Sequence, residues 1–216
     1  MTPKISVLSP SIRPRGLEVV QESLERQTFT SFEWLVEIGM PSRGCDLSAA
    51  LNRMLLRSRG DIIVMLQDYL KIPHNAFEEI VKLHEKHDKT FITYSVAKTL
   101  DWKEVVPDWR YHGVSRKIEP REWEADFASA PRQAFFDVQG YNESFDRGWS
   151  CENLDLAERA KMAGYYFMVV PSLRAVAFDH DAKIKHPFRN KLNFNSDLVA
   201  IERDRRKDGE YKTGHL

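Results

Sequence analysis

Ile62–Leu66 (IIVML) is an unbroken run of five apolar residues rich in β-forming side chains. A strand with one wet face alternates polar and apolar residues, so a run without polar interruption belongs to a central strand covered on both faces. The flanking segments supply the covers. Lys4–Ser9 (KISVLS) predicts a first buried strand, stopped by Pro10, and Glu33–Ile38 (EWLVEI) a second. Between them Leu17, Val20 and Leu24 recur at helical spacing, which predicts a helix over about Arg15–Arg26. Leu47, Leu51, Met54 and Leu55 mark another helix, with Gly60 placed to close it as a C-cap. Pro73 opens a third helix with Phe77, Ile80, Val81 and His84 on one face, and Phe91–Val96 (FITYSV) is a fourth strand. This βαβαβαβ rhythm predicts an α/β fold with a mostly parallel central sheet and helices on both faces.

Residues 98–124 break that rhythm. Trp102, Trp109, Tyr111 and Trp123 lie among charges and prolines, as in a long irregular loop. Such loops inside compact domains are functional or disordered, and disordered segments are poor in aromatics. A short strand follows Ala125, then a helix near Arg132–Val138 and the turn QGYNE. Cys151–Ala163 (CENLDLAERAKMA) is a helix ended by Gly164. Tyr166–Val170 and Leu173–Phe178 read as two strands separated by Pro171, and a polar tail carries a charged helical stretch near Asp197–Lys207.

The 216 residues suffice for one domain with a sizeable core, or one domain plus a short arm. Lys plus Arg and Asp plus Glu number 32 each, which argues against a protein held to nucleic acid or anionic membrane by bulk charge. Cys45 and Cys151 stand in no metal-ligand spacing and read as reduced thiols of a cytoplasmic protein. MTPKISVLSPSIRPRG has too short an apolar run for a signal peptide, and no membrane span is expected.

In an open parallel sheet, ligands bind beyond the carboxyl ends of the strands. The polar residues there are Ser9, Ser11, Arg13 and Arg15 after the first strand, Glu37 at the end of the second, and Gln67, Asp68 and Tyr69 after the third. No G-x-G-x-x-G or G-x-x-x-x-G-K-[ST] loop is present to cradle phosphates. A nucleoside diphosphate would then be neutralised most simply by Mn²⁺ or Mg²⁺ on a carboxylate, and Asp68 suits that task.

These residues resemble a known family. ISVLSPSIRPRGLEVVQESLERQTFTSFEWLVE followed by DLSAALNRMLLRSRGDIIVMLQDYLKIP looks like the donor half of the family 2 glycosyltransferases, which have the GT-A fold. GWSCENLDLAERAKMAGY (Gly148–Tyr165) resembles the acceptor-side helix of GT-A enzymes. It is similar to the W-G-G-E-N-x-E-x-S-x-R pattern of polypeptide N-acetylgalactosaminyltransferases and to the family 2 W-x-x-E-D-x-D motif, while QGYNESF resembles the family's G-G-[FY]-[DN]-E turn. The resemblance implies a GT-A catalytic domain over 1–182, with a donor half at about 1–97 and an acceptor half at about 98–182. Residues 183–216 form a polar C-terminal arm packed on the domain or on a partner.

The activity so implied is metal-dependent transfer of a sugar, as by a hexosyltransferase, from a nucleotide-diphosphate sugar to an acceptor hydroxyl. Glu37 would contact base or ribose, and Gln67-Asp68-Tyr69 would stand for a D-x-D-like metal motif with one acid left. His180 would be a second metal ligand, with His186 a weaker alternative. Trp149 and Asn153 would contact the acceptor, and Glu152 or Asp155 would position its hydroxyl and take its proton. Arg159 is expected to pair with Asp155 at i,i+4. The family 2 base usually stands where Asn153 is, so inversion and retention both remain open. The acceptor also stays open among a saccharide, a lipid-linked sugar, a protein and a modified nucleic-acid base. Two rivals are a degenerate module that binds a glycan or partner without turnover, and a nucleotidyltransferase on the same sheet architecture.

Overall fold

The structure is a computed structural model that describes residues 2–39, 46–99, 106–147, 150–178 and 192–216. Among the described residues nine strands form one sheet: β1 (Ile5–Ser11), β2 (Phe32–Ile38), β3 (Ile62–Leu66), β4 (Leu70–Lys71), β5 (Thr90–Thr99), β6 (Val106–Pro107), β7 (Arg116–Lys117), β8 (Phe127–Pro131) and β9 (Tyr166–Phe178). The helices are α1 (Pro14–Glu25), α2 (Leu47–Arg57), α3 (Ala76–Lys86), α4 (Arg132–Asp137), α5 (Glu152–Met162) and α6 (Leu192–Arg205). The sheet order is β2-β1-β3-β8-β5-β9-β4, with β6 on β5 and β7 on β9. The long pairings β1–β2, β1–β3 and β5–β9 are parallel. Strand β8 enters antiparallel between β3 and β5, so the sheet is mixed yet mostly parallel. No helix among the described residues is long and apolar enough to cross a membrane.

Both faces of the sheet are covered, and the period-2 alternation of the strands assigns them. Val7 and Val64 point into one core with Val20 and Leu24 of α1 and Phe77 and Ile80 of α3. Leu8, Ile63 and Met65 point into the other, against Leu51 and Leu55 of α2, Phe135 of α4 and Leu156 and Ala160 of α5. All five residues of β3 are buried, as the apolar run requires.

Four expectations need correction. Strand β1 does not stop at Pro10. Its pairing with β3 covers only Ile5–Leu8, while pairing with β2 runs to Ser11, so Pro10 lies where the missing amide hydrogen costs no bond to β3. Gly60 does not cap α2, which ends at Arg57 with an extended Ser58. Its role is close approach: a Cβ there would meet the Ile5 carbonyl carbon and the Ser6 nitrogen at 2.5 Å. Helix α3 opens three residues after Pro73, at Ala76. Pro171 does not split β9, which runs through it as one strand, with partners on β5 jumping from Val170 to Arg174.

Of the expected irregular loop, 100–105 with Trp102 lie outside the described residues, and the described part is held by a charge cluster around buried Arg110. Arg110, on a short 3-10 turn at Trp109–Tyr111, binds Asp108 through Nε at 2.8 Å and Asp126 through Nη2 at 2.8 Å. The C-terminal stretch packs on the domain, where Arg206 pairs with buried Asp155 and the amide of Leu216 donates to the Gln139 carbonyl.

Candidate functional site

A cleft of about 380 Å³ opens beyond the carboxyl ends of β1, β2 and β3, where the sheet architecture places a ligand. Its walls bring together Ser11, Arg13, Glu37, Gln67 and Asp68 with Glu152 from the far side of the chain. Five of the seven expected donor residues thus share one cavity with an expected acceptor-side acid.

Asp68 is the floor. It is 3% exposed, and the Ser11 hydroxyl donates to its Oδ2 at 2.5 Å while the Arg13 guanidinium donates to Oδ1 at 3.0 Å. The Ser11 Oγ in turn accepts from the Arg13 amide at 2.8 Å, which fixes the chain as it enters α1. Arg13 also lies over the Tyr69 ring, 4.4 Å from its centroid. Tyr69 sits at φ +61°, a left-handed conformation uncommon outside glycine, and its amide donates to the Gly16 carbonyl at 2.9 Å. Gly16 permits this closure, since a Cβ there would stand 3.0 Å from the Asp68 Cβ. Burial raises the Tyr69 phenol, against the opposing pull of Arg13.

Glu37 lines the cleft but is gripped by α2, with Arg57 at 2.6 Å and Arg53 at 3.3 Å. Asp146, which sequence reasoning missed, closes the opposite wall. Its carboxylate accepts from the amides of Ser48 at 2.8 Å and Ala49 at 2.9 Å, capping the start of α2 that Asp46 leaves without a side-chain bond. Burial raises the Asp146 carboxyl, and the two amides oppose that shift. Nothing local in the sequence marks an acid that caps a helix about a hundred residues away. Asn52 completes the bolt between the walls, donating to the Tyr141 carbonyl and to Glu143.

Glu152 is the first residue of α5 and faces this cleft. Burial raises its carboxyl, its own backbone amide opposes, and the charges of Asp146 and Glu124 add to the rise. Desolvation here outweighs the pull of the helix N-terminus toward the ionised form. Asn153 donates to Glu152 Oε1 at 3.2 Å and accepts from the Tyr141 hydroxyl at 3.3 Å, so it orients the acid without lining the cleft.

Three expected residues stand elsewhere. Asp155 is a correction. It is 0% exposed, with Oδ2 taken by Arg159 and Oδ1 by Arg206, so no sugar hydroxyl reaches it. The expected i,i+4 partner Arg159 is therefore real, and it also donates to the Val138 and Gly140 carbonyls. Ser9 is fully buried and structural, donating to the Leu66 carbonyl and accepting from the Trp34 indole. Arg15 is exposed on α1 and does not line the cleft. Trp149, His180 and His186 lie outside the described residues.

Hard divalent cations take several oxygen ligands. Among the described residues no three His, Cys, Asp or Glu side chains are grouped to hold a metal ion. Asp68 brings one carboxylate, and the guanidinium on it already supplies positive charge. Of the residues expected to hold a cation, the described structure shows Asp68 alone, because His180 lies outside the described residues. The cleft lining places one arginine, Arg13, among the carboxyl groups of Glu37, Asp46, Asp68, Asp146 and Glu152.

No family model matches the chain, and no curated protein matches it. The solved structures of Staphylococcus aureus TarS 1-349 do match its fold. The complex with UDP-GlcNAc has a TM-score of 0.69 at 12% identity and covers 92% of this chain. The complex with UDP and a third TarS structure each have a TM-score of 0.66 at 11% identity. The chain spans 65% of the length of the TarS chain in the UDP complex. These matches establish a GT-A-like α/β fold. They do not extend to the narrower likeness of Gly148–Tyr165 to the polypeptide N-acetylgalactosaminyltransferases.

Proposed function

We propose that this chain transfers a sugar from a nucleoside-diphosphate sugar to an acceptor hydroxyl. One observation carries the proposal: a single cleft at the strand ends holds Ser11, Arg13 and Asp68 on one wall and Glu152 on the other. The fold is shared with TarS, whose structures hold UDP and UDP-GlcNAc. In this reading the diphosphate lies against Arg13, which stabilises the negative charge growing on the leaving group. Asp68 and Tyr69 hold Arg13 in place, and Glu37 faces the base or ribose. Glu152 accepts the proton of the attacking hydroxyl, and its raised carboxyl makes it a stronger base than an exposed glutamate.

A divalent cation on Asp68 with His180 as second ligand is the finer form that the sequence resemblance implies. In the described structure Arg13 is the positive charge on Asp68, and this reading takes it as the cation that faces the diphosphate. The likeness to the polypeptide N-acetylgalactosaminyltransferases rests on the sequence alone and keeps the retaining stereochemistry open.

The test is calorimetric titration with UDP, GDP and TDP, followed by hydrolysis of the matching nucleotide sugars with and without Mn²⁺. Binding with slow hydrolysis is expected, and Glu152→Gln should lower turnover by roughly 10²-fold while leaving nucleotide affinity unchanged. Nucleotide binding without any turnover would instead identify a non-catalytic binding module.

A further inference from the structure

The chain enters α5 through an unfavourable bend. Ser150 and Cys151 both lie in the left-handed region, at φ +68° and +78°, immediately before Glu152. Each such non-glycine residue costs roughly 1–2 kcal/mol, so surrounding contacts must hold the bend. One such contact among the described residues comes from α6. The side chain of Asn195 is fully buried, and its Nδ2 donates to the Phe145 carbonyl at 3.0 Å and to the Ser150 carbonyl at 2.5 Å. Two carbonyl acceptors admit only the amide nitrogen of Asn195, which fixes the orientation of the amide. One side chain therefore ties together Phe145 and Ser150, both of which line the cleft.

Two further links fasten the same wall to the C-terminal stretch. Arg206 pairs with Asp155 and Glu158, one and two turns along α5 from Glu152. The Glu143 amide donates to His215 Nδ1 at 3.2 Å, and the His215 amide to the Tyr141 carbonyl at 3.2 Å.

We infer that Asn195 is a positioning residue for Glu152, acting through Ser150, and that 192–216 belongs to the transfer machinery. This rests on the reading of Glu152 as the acceptor-side base. Asn195 does not line the cleft. Its effect is to hold a bend that the backbone alone does not favour.

The experiment compares wild type with Asn195→Ala in the full chain, with Asn195→Ser as a milder second variant. UDP-binding sites are counted by calorimetry, and donor hydrolysis is expressed per binding site, which removes any loss of folded protein. UDP affinity should stay within about twofold, because Ser11 and Arg13 bond to Asp68 and Asn195 does not line the cleft. Turnover per site should fall by roughly 10²-fold for Ala, the scale of an ångström-sized misplacement, and less for Ser. A second readout is independent of activity: the rate of maleimide labelling of Cys151, followed by peptide mass spectrometry, should rise several-fold. Turnover per site within twofold of wild type, with unchanged Cys151 labelling, overturns the inference. So does a loss of UDP affinity in step with turnover, which marks a general structural role. If the wild type turns over no donor, the reading of Glu152 falls, and the labelling rate alone decides whether Asn195 holds the bend.

Discussion

Replacing Arg13 by methionine removes the charge facing the cleft while keeping most of the side-chain length. Two effects of the change act in the same direction. The diphosphate loses a cation, and Asp68 keeps a buried carboxylate that now repels it. Two unit charges about 4 Å apart near a protein surface interact by about 4 kcal/mol at an effective dielectric near 20. The Arg13 side chain is 24% exposed, so solvent screens part of this. A net loss of about 2–3 kcal/mol follows, or roughly 10²-fold in affinity for UDP. The assay is calorimetric titration of UDP in EDTA and again in Mn²⁺. Wild type should bind equally in both, because the guanidinium already sits on Asp68. Arg13→Met should bind weakly in EDTA and regain part of its affinity in Mn²⁺, since a cation no longer competes with Arg13 for the carboxylate. Wild-type affinity that collapses in EDTA, together with wild-type-like affinity of Arg13→Met in Mn²⁺, would refute the reasoning. Asp68 would then be a metal ligand first and an arginine partner second.

Two predictions concern stability. Gly60→Ala puts a Cβ 2.5 Å from the Ile5 carbonyl carbon, which is backbone and yields little, so it should cost about 1–3 kcal/mol and lower Tm by several degrees in calorimetry; an unchanged Tm would show that β1 moves aside freely. His84 on α3 is buried against Ser129 at 2.7 Å, and burial, with smaller contributions from His87 and Lys4, pulls its imidazole down to about 4. In the unfolded chain it protonates near 6.5, so the unfolded state binds more protons between those values and stability falls as pH drops through that window. At pH 5 the loss is about 2 kcal/mol. Urea unfolding at pH 7 and pH 5 should show His84→Met losing less stability than wild type by about that amount, and equal losses would place the imidazole in water.

What could be read from the sequence was what local pattern carries. The apolar run at β3 and the helical spacing in α1 to α3 record which faces are covered, and covering is a property of neighbouring residues. The strand-end residues Ser11, Arg13, Glu37, Gln67 and Asp68 followed from topology alone. Asp146, Asn52 and Asn195 could not be found that way, because each bonds to backbone or side chains 45 or more residues distant and leaves no local trace. The antiparallel insertion of β8 was hidden for the same reason, since a five-residue strand carries no mark of its direction.

Asp155 carries two sequence signals that conflict, a motif position and an i,i+4 partner. The i,i+4 spacing assigned Arg159 to Asp155, and the motif assigned Asp155 to the substrate. A buried carboxylate with one oxygen on Arg159 of its own helix and the other on Arg206 of the C-terminal stretch is not free to meet a sugar. Leu156 and Ala160 stand next to Asp155 and Arg159 around the helix, and all four are buried, so that face packs into the core. Glu152 is one turn earlier, at the helix start, where the core stripe ends and the cleft begins. The two acids therefore divide by position: the pairing that makes Asp155 structural is what anchors the helix presenting Glu152.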